Sequence, residues 1–187
     1  VAEEIRHYYP WTSKKVHVVY NGIDLKKFRP SDEAKENIRA RLDLPKNRTL
    51  FLFMGNGWRR KGLAEALKIC LRCKTLNPTL VIVGKGRASQ LRGLPVIYRG
   101  VVDNMHEYYQ ACDAFVLPTM YDPFTSSVLE ALACGLPVVT TLQNGASEVV
   151  QHGRTGYLLP RQNKKLKEAA HWLEKNIYAD KNMISKT

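Results

Sequence analysis

The sequence lacks any long apolar run. Its longest apolar stretches, at residues 50–54 and 80–83, end in polar or glycine positions and fall far short of the roughly 18 residues that span a bilayer. The opening residues also lack the basic region, apolar stretch and small-residue cleavage site of a secretory signal. We therefore expect no membrane span and a domain cut from a longer protein, with the cytoplasm as the default location.

Clustered metal ligands are also missing. The 4 cysteines and 5 histidines nowhere show the spacing of a zinc site. Cys70 and Cys73 form a CxxC, but they fall in an apolar helical pattern, which favours a buried pair over a metal or redox site. Cys112 and Cys134 stand in small-residue contexts typical of packed cores. We expect no metal site, and the cysteine usage favours a reducing compartment.

Acidic residues are scarce relative to basic ones. The chain has 29 Lys and Arg against 17 Asp and Glu, a formal charge of +12 that indicates an anionic partner or surface. The cations are dispersed, and composition does not choose between nucleotide phosphate, anionic lipid and nucleic acid. With 187 residues, 44% apolar and 25% charged, the chain has the size and composition of one globular domain over residues 1–187.

Short β-branched or apolar runs alternate along the chain with segments of helical periodicity. The runs predict seven strands, at residues 16–20, 49–54, 79–83, 96–99, 114–118, 137–141 and 157–159. The periodic segments predict helices at residues 32–42, 62–74, 105–111, 126–133, 147–151 and 164–177. This alternation is typical of an α/β fold with a doubly wound parallel sheet covered on both faces.

Doubly wound sheets bind ligands outside the carboxyl ends of their strands. The turns that follow the predicted strands hold the unusual residues of this chain, at 21–22, 55–62, 84–87, 119–124 and 143–145. Each turn taken singly could be no more than a tight connection rich in glycine. Together they should open on one edge of the sheet, which makes that edge the candidate ligand site.

The loop at residues 55–62 is strongly basic. Arg59, Arg60 and Lys61 directly precede a predicted helix, where the macrodipole disfavours each cation by roughly 0.3–1 kcal/mol. A bound diphosphate would reverse that penalty, because backbone N–H groups and cationic side chains would then face an anion. The alternative is a solvated basic turn. The loop is not a P-loop, and Gly84-Lys85-Gly86 lacks the third glycine of a dinucleotide fingerprint.

Two carboxylates flank the start of the predicted helix at residues 126–133. Asp122 precedes it, and Glu130 lies roughly 6–8 Å along its axis. The free N–H groups of the first turn suit an anion, and a carboxylate accepts from both hydroxyls of a diol. The spacing fits one nucleoside diphosphate sugar, with Asp122 on the sugar and Glu130 on the ribose. The alternative is that Asp122 caps a turn and Glu130 pairs with a surface cation.

At these residues the sequence resembles the C-terminal, Rossmann-like donor domain of the family-four retaining glycosyltransferases, which have the GT-B fold. The resemblance covers almost the whole chain. It includes Asn21-Gly22-Ile23-Asp24, Lys61-Gly62, Val83-Gly84-Lys85-Gly86, Arg99-Gly100-Val101, Ala111-Cys112-Asp113-Ala114, the segment from Asp122 to Glu130, Gly135-Leu136-Pro137, Gly145-Ala146-Ser147-Glu148 and Gly153-Arg154-Thr155-Gly156.

The resemblance implies a two-domain enzyme that binds its acceptor mainly on an N-terminal domain absent from this chain. It implies that Lys61 contacts the donor phosphates and that no divalent metal or other cofactor is required, because Lys, Arg and the helix dipole neutralise the leaving diphosphate. The residues expected to be catalytic are Asp122, Lys61 and Arg60. Those expected to bind the donor are Gly55, Asn56, Gly57, Arg59, Gly84, Lys85, Arg99, Val101, Phe124, Thr125, Ser126, Ser127 and Glu130.

Two positions depart from the family pattern. Asn56 stands where an arginine is usual, and Asp122, followed by Pro123, stands where a glutamate is usual. The loop Gly-x-Gly-aromatic-x-x-Lys-Gly, from Gly55 to Gly62, looks most like the lipopolysaccharide-core glucosyltransferases, which use UDP-glucose. The expected reaction is hexose transfer from a UDP-sugar to a glycan or glycolipid, with a peripheral membrane contact compatible with the cationic surface. The alternatives are a basic module for anionic membranes or nucleic acid, and a nucleotide-sugar epimerase or hydrolase.

Overall fold

The computed structural model describes residues 2–160 and 165–184. Their strands form one parallel six-stranded sheet in the order β3-β2-β1-β4-β5-β6. The strands are β1 (Leu50–Met54), β2 (Thr79–Val83), β3 (Val96–Gly100), β4 (Ala114–Leu117), β5 (Val138–Thr141) and β6 (Gly156–Leu159). The strand order reverses between β1 and β4, the switch point at which doubly wound sheets bind ligands. The predicted Rossmann-like α/β fold is confirmed.

The described α-helices from α3 onward follow the strands of the sheet, whereas α1 and α2 precede β1 and α1 buries no residue. They are α1 (Ala2–Tyr8), α2 (Lys35–Arg41), α3 (Trp58–Lys61), α4 (Leu63–Arg72), α5 (Met105–Ala111), α6 (Ser126–Ala133) and α7 (Leu166–Ile184), with 3-10 turns at Pro10–Lys15, Ala88–Leu91 and Gly145–Val149. The predicted bounds of α5 and α6 are confirmed. Among the described residues, no helix has the length and apolar character that crossing a membrane requires.

The core lies on both faces of the sheet. Residues 50–53 of β1 are fully buried, as an unbroken apolar strand must be when helices cover both sides of it. Helix α4 turns Leu63, Ala66, Ile69 and Cys70 inward, at the spacing of one helical face, and packs on α7. Each fully buried leucine or phenylalanine stabilises the fold by about 1.5–3 kcal/mol.

The CxxC is a buried structural pair, as predicted. Cys70 and Cys73 are 4% and 1% exposed, and the Cys73 thiol lies 3.6 Å from the carbonyl oxygen of Ala170 on α7. Burial, with the negative charge of Glu174, raises the pKa of Cys73 to about 12. Both cysteines are free thiols, and neither lies near the strand-end edge.

A buried ion pair joins α2 to the start of β4, at the amino end of the sheet. Arg39 donates to Asp113 at 2.8 Å, and the N–H of Leu50 donates to the same carboxylate oxygen at 2.8 Å. Burial would raise the pKa of Asp113, but the charges of Lys35 and Arg39 and these hydrogen bonds hold it below its ordinary value. The carboxylate therefore stays ionised and fixes where β1 and β4 begin.

The predicted strand at residues 16–20 is wrong. This segment is extended but pairs with none of the described strands, and Val18 and Val19 are 52% and 88% exposed. Its β-branched composition reads as a strand, yet a strand is stable only against a partner and a buried face. The segment instead lies beside the strand-end edge, where the Tyr20 hydroxyl donates to Glu148 at 2.7 Å and its ring packs on Phe124 at 5.9 Å.

Four predicted helices have different bounds, and the one predicted at residues 62–74 is α4, Leu63–Arg72. Helix α2 begins at Lys35 rather than at residue 32, and the segment predicted at 147–151 is the 3-10 turn Gly145–Val149. That turn begins earlier because the Asn144 side chain accepts from the N–H of Ala146 and so caps it. Helix α7 begins at Leu166 and continues to Ile184, and residue 164 of the prediction lies outside the described residues.

Candidate functional site

The loops that follow β1, β2, β3 and β4 meet in one cleft at the carboxyl edge of the sheet. The cleft has a volume of about 510 Å³. It lies at the switch point of the strand order, where sequence reasoning expected it. Thirteen of the 16 predicted site residues line it: Gly55, Asn56, Arg60, Lys61, Gly84, Lys85, Val101, Asp122, Phe124, Thr125, Ser126, Ser127 and Glu130.

The basic segment after β1 is a one-turn helix rather than a loop. Helix α3 lies between Gly57 and Gly62, whose left-handed φ values of 72° and 80° limit it to one turn. A Cβ on Gly62 would lie 2.1 Å from the carbonyl oxygen of Pro118, so only glycine lets α3 approach the end of β4 this closely. The Lys61 side chain consequently lies across Gly55 and enters the cleft.

Lys61, Arg60 and Asp122 form an ion triad inside the cleft. One oxygen of Asp122 accepts from Lys61 Nζ at 2.8 Å and from an Arg60 nitrogen at 2.9 Å. The Lys61 and Asp122 side chains are each 12% exposed. Burial would raise the pKa of Asp122, but the hydrogen bonds from Lys61 and Arg60 hold it below its ordinary value. The Asp122 carboxylate thus pairs with the two cations that the sequence predicts to bind a phosphate.

A buried amide positions Asp122 and the start of α6. Asn144 is fully buried; its Oδ1 accepts from the N–H of Thr125 at 3.3 Å, and its Nδ2 donates to Thr140 at 3.0 Å. The next N–H, of Gly145, donates to the Asp122 carbonyl at 2.9 Å. Sequence reasoning placed Asn144 only in a strand-end turn. A polar amide between apolar strand and helix was the signal that it holds two loops together.

Tyr109 fixes the second carboxylate. Its hydroxyl donates to one oxygen of Glu130 at 2.9 Å, and its ring is fully buried between Phe28 and Phe115. Burial, together with the charge of Glu130, raises the pKa of Tyr109 well above its ordinary value. The hydroxyl therefore remains a donor, and the carboxylate keeps its second oxygen for another partner. Sequence reasoning missed this tyrosine because it reads as an ordinary core residue of α5.

The loops after β1 and β2 are joined where they border the cleft. The Asn56 side chain accepts from the N–H of Lys85 at 2.7 Å. A Cβ on Gly84, whose φ is 119°, would lie 2.6 Å from the carbonyl oxygen of Gly55. The two loops therefore touch backbone to backbone, and Asn56 has a structural role at the position where the family pattern has an arginine.

The remaining three predicted residues do not line the cleft. Gly57 and Arg59 line a neighbouring groove instead. The guanidinium of Arg99 donates to the carbonyl oxygens of Leu42 and Asp43, so this side chain points toward the end of α2. Within residues 2–160 and 165–184, no group of three or more His, Cys, Asp or Glu could hold a metal ion.

Residues 48–176 match the model of the family described as glycosyl transferases group 1. The chain belongs to this family of glycosyltransferases. Over 151 residues it is 35% identical to TuaC of Bacillus subtilis, whose name assigns it to teichuronic acid biosynthesis. That match covers 79% of this chain and 39% of the relative. The chain therefore spans less than half the length of this relative.

Two solved structures, HepE and the glycosyltransferase WaaG, share the fold of this chain. HepE of Anabaena, solved in complex with UDP-glucose, superposes with a TM-score of 0.77 and 23% identity, covering 90% of this chain and 50% of HepE. WaaG, involved in lipopolysaccharide biosynthesis, superposes with a TM-score of 0.78 and 19% identity, covering 95% of this chain and 55% of WaaG. The Rossmann-like fold of this chain is thus shared with about half of each of these two chains.

Proposed function

We propose that this chain is the donor-binding domain of a retaining, metal-independent glycosyltransferase that transfers a hexose from a UDP-sugar to a glycan or glycolipid. The observation that carries the proposal is the arrangement of the cleft. Two cations, Lys61 and Arg60, lie beside the start of α6, and Glu130 lies within the same cavity. This order of charges matches a diphosphate followed by a ribose diol.

The diphosphate would lie between α6 and the cations. The first turn of α6, at Ser126 and Ser127, lines the cleft and carries N–H groups that no intrahelical carbonyl accepts. Lys61 supplies a compact charge and Arg60 a planar fork, so the leaving diphosphate is neutralised without a divalent ion. Asp122 would give up Lys61 to the diphosphate and accept from sugar hydroxyls instead.

The ribose would meet Glu130. Tyr109 holds one oxygen of that carboxylate, and the cleft-side oxygen is available to accept from the ribose hydroxyls. The turn at Gly84 and the segment beginning at Val101 border the rest of the cavity and would face the base. UDP-glucose as the donor is supported by the ligand of HepE, and a lipopolysaccharide-core acceptor by the role in the name of WaaG.

The acceptor would bind mainly on a second, N-terminal domain. The chain matches 39% of the length of TuaC and about half of HepE, which leaves room for such a domain in the whole protein. The reaction would take place in the cytoplasm, the reducing compartment that the four free cysteines favour. The charge of +12 suits a peripheral contact with an anionic inner membrane face.

A thermal-shift screen tests the donor assignment. The chain is heated with UDP, ADP, GDP and their glucose conjugates in the presence of EDTA. UDP and UDP-glucose should raise the melting temperature by mass action, and Lys61→Ala should remove that rise. Lys68→Ala, which removes an exposed cation of α4 outside the cleft, is the matched control. Equal shifts for all bases, or none at millimolar nucleotide, would refute the assignment.

The reaction is tested on the two-domain protein that contains this chain. With UDP-glucose, a glycan acceptor and EDTA, the product should keep the α configuration of the donor, as read from its anomeric proton coupling. A β product would refute retention. Release of free glucose without transfer would favour a hydrolase, and an epimerised UDP-sugar would favour an epimerase.

A further inference from the structure

A second cationic groove adjoins the donor cleft. It has a volume of about 600 Å³, and Gly57, Trp58, Gly86, Gln90 and Met120 line it together with four cations, Arg59, Arg60, Lys85 and Arg87. Among the residues that the structure describes, none that lines it is acidic. Arg60 and Lys85 border both cavities, so the groove is continuous with the site proposed for the diphosphate.

Three of these cations lack an acidic partner. Arg60 pairs with Asp122, but no carboxylate of the described residues pairs with Arg59, Lys85 or Arg87. Lys85 lines the donor cleft as well, whereas Arg59 and Arg87 line only the groove, so these two charges lie outside the site proposed for the donor. Like charges gathered in one concave surface raise the local potential and attract an anion.

The groove is built on a rigid floor. The Trp58 ring stands edge to face on Tyr98 at 5.4 Å, and the Tyr98 hydroxyl donates to the carbonyl oxygens of Gly84 and Gly86 at 3.1 and 3.3 Å. A Cβ on Gly86 would lie 2.0 Å from the Trp58 ring, so only glycine fits between them. The loop that carries Lys85 and Arg87 is thereby held against the turn that carries Arg59.

We propose that this groove is an acceptor subsite that takes a phosphate or carboxylate group of an anionic acceptor glycan. The inference rests on the proposed transferase function and names its substrate class. The groove shares Arg60 and Lys85 with the donor cleft, so an anion bound in it would lie beside the donor, and this favours a group on the acceptor over a lipid surface. An anion seated there would hold the acceptor next to the sugar to be transferred.

Calorimetry on the UDP-saturated chain tests the subsite. Glucose 6-phosphate and glucuronic acid should bind without displacing UDP, whereas methyl glucoside should not bind. Arg87→Ala should weaken glucose 6-phosphate binding about tenfold, the loss of one charge-assisted contact. Arg59→Ala with Arg87→Ala should weaken it about tenfold further. Arg92→Ala is the control: Arg92 is exposed and follows the 3-10 turn Ala88–Leu91 that Arg87 precedes, but it does not line the groove. This variant should bind glucose 6-phosphate as tightly as the wild type.

Each contrary outcome has a defined meaning. Glucose 6-phosphate that competes with UDP, or that binds Arg87→Ala and Arg92→Ala equally, overturns the subsite. Co-sedimentation with vesicles of phosphatidylglycerol and phosphatidylcholine that depends on Arg87, without sugar-phosphate binding, assigns the groove to a membrane surface and overturns it as well. If UDP itself does not bind, the proposed donor function fails, and the same titrations on the UDP-free chain still decide whether Arg87 binds the sugar phosphate.

Discussion

Removing the Lys61 ammonium should sharply weaken nucleotide binding. The group is 12% exposed and lies in the cleft beside Arg60, 2.8 Å from Asp122. A hydrogen bond to a charged group contributes about 1.5–3 kcal/mol, so Lys61→Ala should raise the Kd for UDP by about 10- to 160-fold. The effect should be similar with and without Mg²⁺, because the lysine itself supplies the neutralising charge.

The stability of the fold should change much less than the affinity. Asp122 keeps its 2.9 Å contact with Arg60 after the substitution, so no carboxylate is left unpaired. The free energy of unfolding should therefore fall by only about 1 kcal/mol, as for a partly exposed ion pair. Urea denaturation measures this loss, and isothermal titration calorimetry in EDTA measures the affinity.

Lys68→Ala is the control for the loss of one positive charge. Lys68 is 54% exposed and pairs weakly with Glu65 at 3.9 Å, outside the cleft. The UDP affinity of the Lys68→Ala variant should stay within about twofold of wild type, because a screened surface charge contributes little. If Lys61→Ala also stayed within that range, the reasoning that puts the diphosphate beside Lys61 would be refuted.

Four further outcomes follow from the same geometry. Asp122→Asn should tighten UDP binding in calorimetry, because the carboxylate no longer competes for the cations. Tyr109→Phe should weaken UDP binding about 2- to 13-fold by loss of one hydrogen bond, and 2′,3′-dideoxy-UDP should show no such difference. Gly86→Ala should lower unfolding free energy by about 1–3 kcal/mol, because its Cβ would overlap Trp58. Because the pKa of Asp113 is lowered, its contribution to stability is complete above its ordinary pKa and is lost as the pH falls through the lowered value. The fall in unfolding free energy over that acid range should therefore be absent in Asp113→Asn.

The sheet could be predicted from the sequence because its strands are buried on both faces. Unbroken apolar runs such as Leu50–Met54 and Thr79–Val83 have few alternatives to a covered parallel strand. The segment at residues 16–20 has similar composition but no pairing partner, and composition carries no information about partners. Strand existence was therefore predictable only where burial and pairing both enforced it.

The residues of the cleft could be predicted because backbone topology brings strand ends together. Whether a side chain enters the cleft depends on finer geometry. Arg59 and Arg60 are neighbours in sequence, yet Arg59 lines only the groove, whereas Arg60 lines both cavities and donates to Asp122. That divergence required α3, which is too short to show helical periodicity in the sequence.

The contacts between polar side chains were the least predictable part. The sequence predicts that Asp122 binds sugar hydroxyls, and it gave no sign that Asp122 also pairs with Lys61 and Arg60 in the structure. It found no role for Tyr109, because a hydrogen bond from a core hydroxyl to Glu130 leaves no periodic signal. Such pairs depend on side-chain rotamers and on distances shorter than the spacing between neighbouring residues, and a sequence pattern carries no information about either.

The central claim is that a pyrophosphate lies between Lys61 and the start of α6 while Glu130 binds the ribose of the same nucleotide. A crystal structure of the chain with UDP, grown in EDTA, tests it most directly. The account predicts phosphate oxygens about 2.7–2.9 Å from Lys61 Nζ and ribose hydroxyls at a similar distance from Glu130. UDP bound with its phosphates away from Lys61, or with its ribose out of reach of Glu130, would contradict it.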